Sequence, residues 1–377
     1  MKFNKWTLGL AAVGVVSLAS AAKAEEKMSA VSAALSSTTI SGYVDTSAQW
    51  NFGDNGGLPP YSFGGVKKAD GFNLNVVQLT IAKPLEEGEW AAGYHVDVWL
   101  GPDANGLASQ SSSATSTADL AIRQAYVNLR MPVGNGIDWK VGVFDTVIGY
   151  ETLESGANPN FTRSYGFSIE PTTHTGVLAS YRINDAVSVS AGVANTFGPS
   201  VNARANPPLS EANKTYMGSV SLTAPSDWGW AAGATLYGGI IHGFNSSAVD
   251  NQTSLYVGTT WPTPLKELKV GASFDYVDVE HDAGGETWNI AGYASYQATE
   301  KLSVHARGEY LKDRLGILSG LNEETIEGTL TVQYDLWKNV ITRGEFRWDH
   351  NANGPGTFGA GGIHDAFLLA ANVIYKF

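Results

Sequence analysis

Hydrophobic side chains recur at every second position along most of this chain. Ile40, Val44, Ala48, Trp50 and Phe52 alternate with Ser41, Tyr43, Asp45, Ser47, Gln49 and Asn51. Leu268, Val270, Ala272 and Phe274 oppose Lys269, Gly271, Ser273 and Asp275. Leu302, Val304, Ala306 and Tyr310 oppose Ser303, His305, Arg307 and Glu309, and Ile326, Leu330, Val332 and Tyr334 oppose Glu327, Thr329, Thr331, Gln333 and Asp335. A period of two is that of a strand with one apolar and one polar face. No long stretch carries a 3.6-residue repeat. The pattern predicts sixteen strands, starting near residues 39, 72, 89, 120, 137, 173, 186, 214, 229, 253, 267, 286, 301, 324, 339 and 364.

Short turns, such as Pro84–Gly88, Pro132–Gly136, Asn184-Asp185 and Trp337–Asn339, separate these strands in alternation with longer segments. The longer ones, 53–71, 101–119, 151–172, 198–213 and 350–363, are rich in Gly, Ser, Asn and Asp. Strict short–long alternation is a property of transmembrane barrels, with short turns on one side and long loops on the other. The predicted fold class is all-β: a transmembrane antiparallel β-barrel of about 16 strands, with short periplasmic turns and long extracellular loops.

The last stretch, AANVIYKF, carries the alternation to Phe377. A closed barrel has no edge strand. The final strand is therefore expected to pair with the first, Thr38–Phe52. In lipid, an unpaired strand would leave backbone groups unsatisfied at several kcal/mol each. Tryptophan supports the same picture. Trp50, Trp99, Trp288 and Trp348 fall at the loop ends of strands, and Trp90, Trp139, Trp228, Trp230, Trp261 and Trp337 at the turn ends. Two aromatic girdles flanking an apolar band suit the two membrane–water interfaces. Trp99 departs from this, since it falls on the inward phase.

Composition narrows the setting. Lys2 and Lys5 precede an apolar run, Leu8–Ala22, and Ala22-Lys23-Ala24 is an A-x-A cleavage site. Residues 1–24 thus read as a signal peptide, 25–37 as a short N-terminal periplasmic segment and 38–377 as the barrel. Mean hydropathy is −0.10, and no later apolar run approaches the ~20 residues of a spanning helix. Barrel strands average to neutral, so this is compatible with a membrane. The formal charge is −12 and becomes more negative once Lys2, Lys5 and Lys23 are removed, which argues against nucleic acid. There is no cysteine, and the seven histidines include no H-E-x-x-H. No G-x-S-x-G elbow occurs. Asp349–Gly354 reads D-x-N-x-N-G, but Ala360 stands where a calcium loop needs a bidentate Glu, so it is read as part of an outer loop. No catalytic residue, metal or cofactor is expected.

Residues 120–183 carry more than periodicity. RQAYVNL, the turn MPVGNG, DTVIGYE and the strand THTGVLASY, with ISGYVDTSAQWNF and NVVQLTIAKPL earlier, resemble the OmpL-like outer-membrane β-barrel porin family. These blocks cover about a third of the chain. The resemblance implies a porin in the outer membrane, a water-filled channel for passive diffusion of small hydrophilic solutes and ions. Its partners would be outer-membrane lipids, those solutes and the barrel assembly machinery. It leaves a homo-oligomer, a trimer, open. Phe377 resembles the C-terminal assembly signal of such proteins. Two alternatives remain: a substrate-specific channel, or a plugged barrel acting as adhesin or structural anchor.

Strand phase points Arg182, Lys269, Arg307, Arg343 and Arg347 inward, together with Asp45, Asp97, Asp275, Glu309, Glu327, Asp335 and Glu345. Arg343, Glu345 and Arg347 lie about 6–7 Å apart on one strand face. Such charges either set a field across a pore or pair with one another on its wall. The loop 151–172 is expected to fold inward as a constriction, with Glu151, Glu154 and Glu170 facing Arg307, Arg343 and Arg347 across the opening. Acidic residues in the outer loops outnumber basic ones, which predicts a weak cation preference that salt screens.

Overall fold

The computed structural model describes residues 37–52, 70–86, 88–106, 119–204, 212–245, 250–280, 285–318, 321–358 and 362–377. The leader reading falls outside them, as do the loop charges Asp54, Lys67, Lys68, Glu211 and Asp282.

Sixteen antiparallel strands close into one barrel, each paired with its sequence neighbours and β1 with β16. In chain order they are β1 (Thr39–Phe52), β2 (Gly71–Lys83), β3 (Ala91–Leu100), β4 (Leu120–Met131), β5 (Ile137–Asp145), β6 (Thr173–Arg182), β7 (Val187–Ala194) and β8 (Thr215–Thr223). Then follow β9 (Thr235–Asn245), β10 (Asp250–Pro262), β11 (Leu268–Val279), β12 (Glu286–Gln297), β13 (Leu302–Asp313), β14 (Glu324–Trp337), β15 (Val340–Asn351) and β16 (Asp365–Lys376). Most begin within three residues of the expected position.

The exception is β9. Gly229–Ala231 forms a 3₁₀ turn, so the strand starts at Thr235 instead of near 229. The 224–234 connection is consequently longer than the four residues separating β9 from β10 at the opposite end. Strict short–long alternation therefore fails around β9–β10, whose connection is also shorter than the five residues between β10 and β11.

Closure is made where the pattern requires it. Ten residues of β1 pair with β16, from Tyr43 opposite Lys376 to Phe52 opposite Phe367. Beyond them, Gly42 and Phe377 exchange two backbone hydrogen bonds of 3.0 and 2.9 Å. Gly42 is suited to this place, because a Cβ there would collide with the Gln78 carbonyl oxygen and the Phe377 ring.

Burial is inverted relative to a protein in water. Side chains such as Phe72, Leu129, Tyr216, Leu255, Ile290, Leu330 and Val373 are exposed, whereas Asp45, Gln49, Asp97, Asn289, Arg307, Thr331 and Arg347 are buried. Apolar groups outward and polar groups inward are arranged for lipid outside and a polar lumen inside. The outward tryptophans follow the girdle expectation: Trp50, Trp261 and Trp337 are exposed near strand ends, and Trp90, Trp228 and Trp230 in the adjoining turn-side connections. Trp99 points inward, 1% exposed, and its Nε1 donates to Gln78 Oε1 at 2.7 Å.

Candidate pore constriction

The segment joining β5 to β6, residues 146–172, runs inside the barrel. Its neck is closed by Thr146 N–H donating to the Thr172 carbonyl at 3.0 Å. Ser155–Ala157 makes a 3₁₀ turn, and Tyr165–Ile169 one turn of helix (α2, after the short α1 at Asp103–Gly106). Ser164 caps α2, its Oγ accepting from Phe167 N–H at 3.0 Å. A loop at membrane depth must place its backbone polar groups against protein or in a wet cavity. Here the barrel wall supplies the partners.

Three wall arginines hold loop carbonyls. Arg307 donates to the Thr162 carbonyl at 2.9 Å, and Arg347 to that of Arg163 at 2.7 Å. Arg343 reaches those of Ser155 at 3.1 Å and Asn158 at 2.7 Å. Two wall carboxylates hold loop N–H groups. Glu345 accepts from Phe161 at 2.6 Å and Thr162 at 2.9 Å, and Glu309 from Tyr165 at 2.7 Å. Asp349 takes the Tyr165 hydroxyl at 2.5 Å, and Lys376 Nζ donates to the Gly156 carbonyl at 3.1 Å. Carboxylates on strands thus meet loop donors, and guanidinium groups meet loop acceptors. Hydrogen bonds to charged groups are worth roughly 1.5–3 kcal/mol each.

Apolar contacts complete the seat. Leu153 and Phe167 pack with Tyr43, Val76, Trp99 and Ile374, and Phe161 with Leu368 and Ala370. On the opposite wall, Val147 and Ile148 join Phe144, Leu178, Met217, Ile241 and Tyr256. Tyr237 Oη donates to the Val147 carbonyl at 2.8 Å. Tyr150 stacks on Tyr293 with ring centroids 4.0 Å apart. Gly271 leaves the space that the Tyr150 hydroxyl occupies, since a Cβ there would collide with it. The loop therefore crosses the lumen and touches both sides.

The expected charge arrangement is modified accordingly. Glu151 does not face the arginines across a gap: it pairs with Arg307 at 2.9 Å, both side chains essentially fully buried. Arg307 also pairs with Glu327 at 3.1 Å, and Arg347 with Asp349 at 2.7 Å. Glu154 is half-buried on the loop, and its carbonyl accepts from Asn158. Glu170 stands beside the Asp275 carboxylate. Burial, with the Asp275 and Glu151 carboxylates nearby, pushes the Glu170 carboxyl well above the usual glutamate range.

The other inward residues divide by place. Asp45 accepts from Asn75 at 2.9 Å, and Asp275 is buried beside α2, where a Cβ on Gly166 would collide with it. Asp97 pairs with Arg123 at 2.6 Å, and Arg123 also with Asp145 at 2.8 Å. Arg182 ends β6 on the turn side, where it is exposed and pairs with Asp185 at 2.8 Å. Strand phase overlooked Arg123. The register shifts between Asp97 and Val98, where β4 carries one extra residue, so Arg123 and Gln124 are both buried. Asp349, read above as opening an outer loop, belongs to β15 and is committed to Arg347 and Tyr165.

The loop leaves two cavities. One, of about 750 Å³, opens toward the turn end and is lined by loop residues 146–153 and 156 with Tyr237, Tyr256, Thr259, Lys269, His305 and Arg343. The other, of about 790 Å³, opens toward the loop end and is lined by Phe197, Asn245, Asp250, Gln252, Glu280 and Leu315. Glu170 and Pro171 line both, so the cavities adjoin there.

A family model described as beta-barrel porin-2, OmpL-like, matches residues 37–377. A search of curated proteins finds no match. Among solved structures, the outer membrane channel DcaP of Acinetobacter baumannii is similar, with TM-score 0.59 and 14% identity over 90% of this chain and 97% of that one. The anion-selective porin from Comamonas acidovorans gives TM-score 0.56 and 14% identity over 90% and 99%. OmpT of Vibrio cholerae in its trimer form gives 0.56 and 13% over 90% and 99%. At these identities the likeness concerns the fold.

Proposed function

Since the chain belongs to the OmpL-like β-barrel porin family, we propose that this outer-membrane channel passes small hydrophilic solutes and ions by diffusion around its seated loop. The observation that carries this reading is the pair of cavities on either side of loop 146–172, adjoining at Glu170 and Pro171. Solutes would be sorted by the space left where the two cavities adjoin, at Glu170 and Pro171. Arg307 and Arg347, each neutralised by a carboxylate, would hold the loop more than they attract anions. Arg343 remains at the edge of the turn-side cavity.

The wider setting follows from the same reading. A leader ending at Ala24 would be cleaved during export, leaving a short periplasmic segment before the barrel. The short turns would face the periplasm, and the assembly machinery would recognise the strand ending at Phe377. The trimer form of OmpT supports a test for a trimer here. No catalytic step, metal or cofactor is assigned.

Planar-bilayer recording tests the reading. Intact protein should give small, stable conductance steps, and removal of residues 152–164 should enlarge them several-fold. Equal steps with and without the segment would overturn the constriction. One observation favours the plugged-barrel alternative: the loop is bound to both walls. Conductance that appears only after the segment is removed would establish that alternative.

A further inference from the structure

We infer that the lumen behaves as two oppositely charged compartments in series and rectifies ion current, which rests on the channel reading above. The loop-side cavity is lined by the acids Asp250 and Glu280 and by no Lys or Arg among the described residues. Glu280 is exposed, and its carboxylate accepts from Asn251 Nδ2 at 2.9 Å. Of the basic residues near this cavity's lining in sequence, Arg314 is engaged by Glu286 at 3.2 Å and Glu323 at 3.0 Å, Lys312 by Glu324 at 2.9 Å, and Arg204, outside the lining, donates to the Asn202 and Ala203 carbonyls.

The turn-side cavity has the opposite sign. Two of its acids sit in ion pairs, Glu151 with Arg307 at 2.9 Å and Asp145 with Arg123 at 2.8 Å, Arg307 being shared with Glu327 and Arg123 with Asp97. Its two basic residues are not matched by carboxylates in this way. Lys269 is exposed and lines the cavity. Arg343 spends its guanidinium on the Ser155 and Asn158 carbonyls and the Gln333 amide oxygen, all neutral acceptors. Lys376, bound to the Gly156 carbonyl, adds positive charge beside the same cavity. Asp335, hydrogen-bonded by Gln333, is an inward acid at that end, and it lies outside the lining. Glu170 marks the junction of the two lobes.

Fixed charge sets the local ion population in a narrow wet space. Cations therefore gather in the loop-side lobe and anions in the turn-side lobe. With the loop mouth positive, cations enter through the acidic lobe and anions through the basic one. Both move toward the junction, and the lumen fills with carriers. With the polarity reversed both leave the junction, and the lumen is depleted. Current should be larger when the loop mouth is positive.

Single-channel recording of the full-length protein decides this. The ratio of currents at opposite voltages should be about 1.5–2 in 0.01 M KCl and approach one in 1 M KCl, since the Debye length falls from about 30 Å to about 3 Å. Lys269→Gln and Glu280→Cys should each move the low-salt ratio toward one. The natural chain has no cysteine, so an anionic, membrane-impermeant thiol reagent will react only with the thiol introduced by Glu280→Cys. It should restore the ratio from one chamber alone, which identifies the loop-mouth side and its polarity. A conducting channel with a linear current–voltage curve at about 0.01 M KCl, where screening is weakest, overturns the inference and leaves the channel reading intact. Larger current with the loop mouth negative also overturns it. An absence of all conductance overturns both.

Discussion

At the scale of single residues, the lumen charges are sockets for a loop backbone. Glu345 is the most committed of them, accepting two loop N–H groups and the Thr331 hydroxyl, the last at 2.7 Å. Glu345→Ala should strand these donors and cost about 1–3 kcal/mol for each one left unsatisfied. Glu345→Gln retains acceptor capacity and should cost less. Protease accessibility of the loop in detergent would order the variants as wild type, Gln, Ala; equal cleavage of all three would refute the socket role. Glu170 predicts a pH effect of definite sign. Its folded-state pKa is raised, so the folded state holds its proton more tightly than the unfolded chain. Its stabilisation is full at acid pH and is lost as pH rises from the ordinary glutamate range toward the raised value. Loop cleavage should therefore accelerate with rising pH, and Glu170→Gln should flatten the profile. Strand phase made the inward direction of Arg307, Arg343 and Arg347 legible in the sequence. Their partners were not, because the acceptors are backbone carbonyls more than a hundred residues away, which carry no side-chain signature.

At the scale of elements, the strands were legible because one face meets lipid. An offset of one residue would turn that whole apolar row inward. The strand β16 also held a readable hint of the loop's seat. Its inward positions include Leu368, Ala370 and Ile374, all buried, and the polar ones are Asn372 and, at the strand's end, Lys376. A water-filled lumen does not require that apolar row, whereas a loop bringing Phe161, Leu153 and Phe167 against it does. The extent of β9 was less legible, since Gly229–Ala231 can continue either a strand or a turn in sequence alone. Phe377 yields the prediction at this scale. Its backbone exchanges two hydrogen bonds with Gly42, and its ring stacks with Tyr375 at 6.5 Å. Deleting Phe377 removes one pair from a seam of ten more. The assembled barrel should keep its melting temperature within a few degrees, yet its outer-membrane level should fall if recognition during assembly depends on the aromatic terminus. Normal abundance would show that the residue serves only the seam.

At the scale of the whole molecule, everything rests on one closure, and its register can be tested directly. Gly42 and Phe377 form a hydrogen-bonded pair, so every second pair along the seam is of the closer, non-hydrogen-bonded kind. Gln49 opposite Ala370 is such a pair, both side chains are buried on the lumen face, and the chain has no cysteine to compete. Facing residues in this position have Cβ atoms near the separation a disulfide needs. Gln49→Cys combined with Ala370→Cys should therefore cross-link on mild oxidation of the folded protein. Gln49→Cys with Ala371→Cys should not, because adjacent residues point to opposite faces of the sheet. On a denaturing gel the unheated barrel should migrate faster than the boiled one. The oxidised Gln49/Ala370 pair should keep a shifted mobility after boiling, reversed by a reducing agent, because the denatured chain stays a covalent loop. Cross-linking of the Gln49/Ala371 variant, with none in its neighbour, would place the seam one residue out of register. That slip would turn Phe367, Leu369, Val373 and Tyr375 into the lumen, so the same gel also tests which face of β16 meets lipid.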